Sequence, residues 1–371
     1  MINVTKTHLP PIEKYKSYLE KIWQSSCVTN RGPLVLELEQ KLKNHLKLKH
    51  ILFVSNGTIA LQIAIKALDL KGEIITTPFS YVATTTALLW QNHDPVFVDI
   101  DHETFCIDPS KIENAITEKT TAILATHVYG YPCDVERIKQ IADKYKLKII
   151  YDAAHAFGTN YKGTSILNHG DISTLSFHAT KLFHTIEGGA IIVNGNDELI
   201  KKNFLYHAFG HIGDDYFTIG INGKNSEFHA AMGLCNLLEL ESIFALRKKV
   251  SLLYDARLLS SDVKRPAVND HVEYNYAYYP VIFSKEDLLL KVKKELGENS
   301  INTRRYFFPS LNKLSYIKNT NYCPVSEDIS RRVLCLPLYP DLENSVVDKI
   351  SSIINKCIQN NQSDLKQYAS I

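Results

Sequence analysis

The feature that most constrains the fold is a series of short apolar runs that alternate with helical patterns over roughly the first two hundred residues. Turn residues bound these runs, which is typical of buried strands. The runs lie at Ile51–Val54, Ile74–Ile75, Pro95–Val98, Ala122–Ala125, Leu147–Ile150, Ile172–Phe177 and Ala190–Val193. Helical patterns lie between several of them, as at Thr58–Leu68 and Val135–Ala142. An order of strand, helix and strand predicts an α/β fold with a mostly parallel sheet covered by helices.

A different pattern follows Leu238. It predicts a long helix at Phe244–Leu259, a tyrosine-rich strand at Tyr274–Phe283, a helix at Asp287–Leu296, a strand at Thr303–Phe307 and a terminal helix at Val346–Ile358. The chain has 371 residues, which exceeds the usual size of a single hydrophobic core. We therefore predict a large domain at residues 1–240 and a smaller α+β domain at residues 241–371.

Composition narrows the classes of partner. Lys plus Arg (42) nearly balance Asp plus Glu (40), and no basic block is interleaved with aromatic residues, so nothing favours nucleic-acid binding. No window approaches the roughly 18 apolar residues that span a bilayer, and the first residues lack a secretion-signal pattern. The seven cysteines are widely spaced, which argues against disulfides or a metal site. We expect a cytoplasmic protein with a small-molecule partner.

The chemistry is concentrated where strands of the first domain end, because ligands of open α/β sheets bind outside the carboxyl ends of the strands. The first such place is Ser55–Thr58, where a strand passes through Gly57 into a helix. Backbone N–H groups at a helix start, with the hydroxyl of Thr58, form a site for an anion such as phosphate. Taken alone, the same residues are more often a capped junction without a ligand.

The second place is Asp152, which follows the apolar residues Ile149–Tyr151 and precedes small ones. A carboxylate there can pair with a heterocyclic nitrogen and keep it protonated. The local pattern leaves open two alternatives, metal binding and capping of the next turn. His155, three residues further on, either packs in the core or contacts the same ring.

The third place is Lys181, within the stretch Ser176–Gly189 that joins two apolar strands. Rigid neighbours on both sides hold such a lysine while leaving it accessible for covalent chemistry. A solvated surface lysine is the ordinary alternative. The flanking residues are apolar, hydroxylic or small, which a solvated lysine does not require.

The three stretches in this order resemble the sugar aminotransferases of the DegT/DnrJ/EryC1/StrS family. The resemblance extends along the chain through Thr76–Thr84, Pro95–Asp101, His127–Gly130, Gly220–Gly233 and Arg332–Pro337. It implies the fold of aspartate aminotransferase, with a three-layer α/β domain of PLP fold type I and a smaller C-terminal α+β domain. The stretches Ser176–Lys181 and Gly220–Lys224 are most similar to transaminases that make dTDP-4-amino-4,6-dideoxyglucose.

The resemblance implies pyridoxal 5′-phosphate (PLP) as cofactor. It assigns the Schiff base and the proton transfer to Lys181 and the contact with the pyridine nitrogen to Asp152. The other implied cofactor contacts are Gly57, Thr58 and Ser176 on the phosphate, Tyr81 stacked on the ring, His155 beside it, and Asn222 reaching the phosphate from a neighbouring subunit. Asn222 thus implies a homodimer with shared active sites.

The implied reaction moves the amino group of L-glutamate to a nucleotide-linked 4-keto-6-deoxyhexose, for surface polysaccharide synthesis. Some family members have histidine in place of Lys181 and are dehydratases, so this lysine favours transamination. Candidates for binding the anionic substrate are Arg31, His184, Lys224, Arg304 and Arg305, each of which also fits a surface role. Amination of a 3-keto-sugar and a non-catalytic regulator on the same fold remain alternatives. At position 225 this chain has asparagine where many family members have methionine.

Overall fold

The computed structural model describes residues 1–258, 263–318 and 321–369. The strands are β1 (Ile51–Val54), β2 (Glu73–Thr76), β3 (Asp94–Phe97), β4 (Thr120–Thr126), β5 (Lys148–Asp152), β6 (Asn160–Tyr161), β7 (Thr164–Ser165), β8 (Ile172–Ser176), β9 (Gly189–Val193), β10 (His211–Ile212), β11 (Asp215–Tyr216), β12 (Val263–Lys264), β13 (Val272–Glu273), β14 (Tyr279–Phe283) and β15 (Val333–Leu336). Every strand expected in the first domain coincides with one of these.

The helices are α1 (Ile12–Ser25), α2 (Pro33–His45), α3 (Gly57–Ala67), α4 (Val82–Trp90), α5 (Pro109–Ile112), α6 (Val135–Tyr145), α7 (Asp197–His207), α8 (Glu227–Leu237), α9 (Leu240–Arg257), α10 (Glu286–Glu298), α11 (Pro324–Arg332) and α12 (Asn344–Ala369). The helix expected at Phe244–Leu259 corresponds to α9, and Leu259 itself lies outside the described residues. None of the described helices is both long and apolar enough to cross a membrane.

A seven-stranded sheet in the order β1-β9-β8-β5-β4-β2-β3 forms the centre of the molecule. Its strands β3, β2, β4, β5 and β8 are parallel, whereas β9 runs antiparallel to both β8 and β1. The reversal follows from the connection after β8, which contains no helix and returns the chain directly to the neighbouring position. The predicted mostly parallel sheet is confirmed.

Helices cover both faces of this sheet. Alternate strand residues point to opposite faces, so Val54 and Ile74 pack with α3, whereas Phe53 and Ile75 join a core that includes residues of α2, α6 and α8. The result is one sheet between two helical layers. The predicted three-layer α/β architecture is therefore confirmed.

The C-terminal part contains the antiparallel sheet β12-β14-β15. Helices α9, α10 and α12 pack on it through residues such as Val250, Leu289 and Ile350. Strand β13 pairs instead with β6 of the preceding part. The boundary at residue 240 stays a prediction.

One expected strand is wrong. Residues 303–307 form no strand, and only Arg304 makes an isolated bridge, to Cys335. The aromatic residues that suggested a strand pack sideways against the large domain: the Phe307 ring lies 5.7 Å from that of Phe79 and 5.6 Å from that of His155. The tyrosine-rich strand is also shorter than expected, because residues 274–278 form an irregular segment before β14.

Candidate active site

The candidate site lies at the carboxyl ends of three adjacent strands, β4, β5 and β8. Thr126 at the end of β4 is in register with Asp152 at the end of β5, and Asp152 is in register with Thr174 on β8. Strand β8 ends two residues later at Ser176. Parallel strands therefore bring side chains from separate sequence stretches to one edge of the sheet.

Asp152 is a buried carboxylate with two donors. Its Oδ2 accepts a hydrogen bond from the Thr84 hydroxyl at 2.6 Å, and its Oδ1 accepts one from the Ala154 N–H at 3.1 Å. Burial raises the pKa of Asp152, while the bond from Thr84, the bond from Ala154 and the charge of Lys181 oppose the rise. A carboxylate has about four lone-pair sites, so Asp152 retains capacity for a further donor.

Lys181 lies on the loop between β8 and β9, partly buried. Burial lowers the pKa of its amine to about 8, against the opposing effects of Asp152 and Tyr81. Its Nζ donates to the Tyr278 hydroxyl over 3.4 Å. A lysine with a lowered pKa has a substantial neutral fraction near neutral pH and serves as a nucleophile or base.

His155 is also buried at this site. Its Nδ1 accepts a hydrogen bond from the Tyr129 N–H at 3.2 Å, and its ring lies parallel to that of Phe307. Burial, helped by the charge of Lys181, holds the pKa of His155 well below its usual value. The ring is therefore neutral and carries its proton on Nε2.

A small cavity lies beside Lys181 and His155. Ser176, His155, Lys181 and Tyr278 all line it. Tyr81, the residue before α4, is 54% exposed and lies close enough to raise the pKa of Lys181. The structure thus brings together Asp152, His155, Ser176 and Lys181, with Tyr81 at the edge.

The start of α3 lies against the end of β8. A Cβ atom added to Gly57 would meet the Cβ of Ser176 at 3.0 Å, so glycine permits this close approach. The Asn56 side chain accepts a hydrogen bond from the Ile59 N–H. No hydrogen bond within the described residues engages the N–H groups of Gly57 or Thr58, and Thr58 is exposed. This helix start has the geometry of an anion site.

Asn222 is not among the residues that line the cavity. It is exposed and bridges the backbone of Ala208, and its neighbour Gly223 accepts a hydrogen bond from the Ser55 N–H at 2.8 Å. No hydrogen bond between Asn222 and Lys181 occurs in the described part of the chain. The expected role of Asn222 in a partner's site stays a prediction.

Two of the expected substrate residues are engaged elsewhere. The Arg31 guanidinium forms a forked ion pair with Glu39, its Nη2 lying 2.7 Å from Oε2. His184 is buried, its Nε2 contacts the His8 carbonyl at 2.6 Å, and its Nδ1 accepts from the Ile186 N–H. Both side chains are therefore already hydrogen-bonded within the chain.

The other three cationic candidates differ in their positions. Arg304 is exposed and stacks on the ring of Tyr306 at 4.8 Å, and the Tyr306 ring contacts that of Tyr278. Arg305 instead pairs with Glu286 at 2.7 Å. Lys224 lies over the Phe209 ring at 4.3 Å. Among these three, Arg304 is connected to the cavity through tyrosine rings.

Sequence reasoning missed two residues that contact the central pair. Thr84 donates to Asp152 from 68 positions away, and Tyr278 accepts from Lys181 across 97 positions. The resemblance covered the stretch Thr76–Thr84 without a role for Thr84, and no local signal marked Tyr278. Asn225, the departure from the family pattern, donates to the Val54 and Glu187 carbonyls.

Comparison with known proteins identifies the family of the chain. The profile of the DegT/DnrJ/EryC1/StrS aminotransferase family matches residues 12–355. The chain belongs to the DegT/DnrJ/EryC1/StrS aminotransferase family. It is therefore a PLP-dependent aminotransferase.

Several known proteins match this chain over nearly its whole length. A dTDP-4-amino-4,6-dideoxy-D-glucose transaminase of Shigella dysenteriae is 41% identical over 366 residues, which span 96% of this chain and 98% of that protein. The structure of DesI in the presence of its TDP-sugar product superposes with a TM-score of 0.93 at 27% identity, covering 99% of this chain and 95% of that one. The PLP form of a Streptococcus pneumoniae sugar aminotransferase gives a TM-score of 0.87 at 25% identity, covering 95% and 99%.

Proposed function

We propose that this enzyme transfers the amino group of L-glutamate to a nucleotide-linked 4-keto-6-deoxyhexose, forming a dTDP-4-amino-4,6-dideoxyglucose type of product for surface polysaccharide synthesis. The observation that carries the proposal is a cavity at the strand ends that Lys181 and His155 line, with the Asp152 carboxylate close enough to shift the pKa of Lys181. The 41% identity with the Shigella dysenteriae transaminase supports the choice of sugar.

The residues present fit PLP. The start of α3 beside Ser176 suits the phosphate, with Gly57 and Thr58 offering N–H groups. The free acceptor capacity of Asp152 suits a protonated ring nitrogen, and Lys181 suits the covalent bond. His155 supplies an aromatic ring that lines the cavity, and Tyr81 supplies one close to Lys181. When bound, PLP acts as an electron sink that stabilises negative charge on the α-carbon of the amino donor.

Lys181 carries the proton transfers. A neutral amine with a pKa of about 8 is suited to take the proton from the α-carbon of the amino donor. In the second half of the reaction the same amine is suited to give a proton to the sugar carbon that receives the amino group. The Tyr278 hydroxyl at 3.4 Å from Nζ gives the amine a fixed neighbour during this exchange. The His155 ring is neutral and held by the Tyr129 N–H, so it adds no positive charge beside Lys181.

We further propose that the working unit is a homodimer in which Asn222 serves the partner's cofactor phosphate. The segment around Asn222 is rich in exposed apolar side chains: Tyr216 is 80% exposed and Ile219 is 85% exposed. Exposed apolar clusters of this kind mark protein interfaces. A second copy of the chain that covers this segment explains both its exposed apolar side chains and the exposure of Asn222.

For the anionic nucleotide sugar, Arg304 is the cation that the contacts favour. It lies on the Tyr306 ring, which continues into Tyr278 beside Lys181. The ion pairs of Arg31 with Glu39 and of Arg305 with Glu286 make these two arginines less available to a diphosphate.

The test is an assay of the purified enzyme with PLP, L-glutamate and dTDP-4-keto-6-deoxyglucose. We expect 2-oxoglutarate and an aminated sugar in equal amounts, with the amino group at C4 by NMR. Lys181→Ala serves as the control and forms neither product. An amino group at C3, or turnover by Lys181→Ala equal to that of wild type, contradicts the proposal.

A further inference from the structure

A chain of buried hydroxyl groups leads to Asp152. Thr126 Oγ1 donates to Ser80 Oγ at 3.1 Å, Ser80 contacts Thr84 Oγ1 at 2.6 Å, and Thr84 donates to Asp152 Oδ2 at 2.6 Å. All four side chains are buried, with exposures of 3%, 1%, 0% and 5% in that order. These hydrogen bonds connect Thr126 of β4 and Ser80, which precedes α4, with Thr84 of α4 and Asp152 of β5.

The direction of these bonds follows from the donor count. An ionised carboxylate only accepts, so Thr84 gives its single proton to Asp152. Thr84 must then accept from Ser80, and Ser80 in turn accepts from Thr126. Every proton of the chain therefore points toward the carboxylate, and each bond polarises the next.

We infer that Thr84, supported by Ser80 and Thr126, is a positioning residue that keeps Asp152 ionised and aimed at the ring nitrogen of PLP, an inference that rests on the proposed function. Burial by itself favours the neutral carboxylic acid, which supports a ring nitrogen far less well than the carboxylate does. The bond from Thr84 to Oδ2 and the bond from the Ala154 N–H to Oδ1 offset this effect of burial.

The neighbouring residue Thr85 provides a matched control. Thr85, the next residue of α4, is equally buried, but its Oγ1 has no hydrogen-bond partner among the described residues. Valine has nearly the shape of threonine without the hydroxyl. Thr84→Val removes the bond to Asp152, whereas Thr85→Val removes a hydroxyl that has no hydrogen-bond partner in the described structure.

The first experiment compares the PLP-loaded variants with wild type. We expect Thr84→Val to lower kcat by about 10- to 100-fold, as for the loss of a hydrogen bond to a charged group, and Thr84→Ser to recover most of it. Thr85→Val stays within about twofold of wild type. The NMR shift of an isotope-labelled ring nitrogen moves toward that of neutral pyridine in Thr84→Val only. Equal behaviour of Thr84→Val and Thr85→Val in both measurements overturns the inference.

The second experiment separates positioning from simple packing. Because Thr84 acts through Asp152, Thr84→Val added to Asp152→Asn is expected to cause no further loss of kcat. A full additional loss in that background shows a structural role and overturns the inference. If Thr84→Val does not fold, Ser80→Ala takes its place in both comparisons, with a smaller loss supporting the inference and no loss overturning it.

Failure of the proposed function has a different signature. In that case wild type with PLP and L-glutamate forms no sugar aminated at C4. If wild type forms this sugar and the Thr84 and Thr85 variants agree, only the inference about Thr84 fails.

Discussion

The Tyr278 hydroxyl lies 3.4 Å from the Nζ atom of Lys181, so the segment before β14 contributes directly to a site otherwise built at the ends of β5 and β8. Side-chain hydrogen bonds to and from residues 275–277 hold this segment in place. The buried Arg247 on α9 donates to the Tyr276 and Ala277 carbonyls, and the Asn275 side chain donates to the His155 carbonyl. The tyrosine is therefore held in place independently of its hydroxyl.

The first prediction concerns that hydroxyl. Tyr278→Phe keeps the ring packing but removes the neighbour of the Lys181 amine, so we expect kcat to fall by about tenfold, the effect of one hydrogen bond. Tyr276→Phe is the matched control, because no hydrogen bond of its hydroxyl occurs in the described residues, and its kcat stays near wild type. Single-turnover rates with glutamate measure the effect, and equal rates for the two variants contradict the role of Tyr278.

The second prediction concerns the ionisation of Lys181. Its pKa of about 8 means that the neutral, nucleophilic amine predominates only above that pH. Capture of PLP by the apo-enzyme, followed by borohydride reduction and peptide mapping, should therefore rise with pH and level off above about 8. An ordinary lysine, with a pKa of about 10.4, would keep rising well beyond this range. Labelling of another lysine contradicts the assignment.

Much of the site was open to prediction because it depends on where strands end. Asp152 and Ser176 are the last residues of β5 and β8, and apolar runs bounded by polar residues mark such ends in the sequence. Parallel pairing then brings the ends together. The position of Lys181 follows from the short return between β8 and β9.

What escaped prediction depends on contacts between distant segments. Thr84 resembles its neighbour Thr85 in every local respect, and only the fold shows that one of them meets Asp152. Residues 303–307 resembled a strand because aromatic residues favour strands, yet Phe307 is buried against His155 instead. In both cases tertiary packing decides what local composition leaves open.

The third prediction concerns Asp152. Asp152→Asn keeps the size of the side chain but carries no negative charge to support a protonated ring nitrogen, so we expect PLP to bind while kcat falls by at least about 100-fold. The absorbance of the bound cofactor measures retention, and stopped-flow rates with glutamate measure turnover. Asp171→Asn, at an acid bonded to the Ile149 N–H beside the sheet, is the control that keeps its rate. A near-normal rate for Asp152→Asn removes this residue from the proposed role.

The last prediction tests the shared site. If Asn222 serves the partner's cofactor phosphate while Lys181 serves that of its own chain, each site needs one residue from each subunit. Lys181→Ala and Asn222→Ala, each inactive alone, are mixed in equal amounts under conditions that allow subunit exchange. Random pairing makes about half of the dimers heterodimers, each with one intact site, so roughly a quarter of wild-type activity should return.

The control for that mixture pairs Lys181→Ala with Asp152→Asn. Both residues belong to the same chain's site, where the charge of each shifts the pKa of the other. A heterodimer of these variants therefore contains no intact site. Its activity should stay at background. Restoration in the first mixture and not in the second requires that Asn222 act across the interface. Background activity in both mixtures, after native mass spectrometry has confirmed heterodimers, means that Asn222 acts within its own chain. Its bridge to Ala208 and the bond of its neighbour Gly223 to Ser55 fit such a local role.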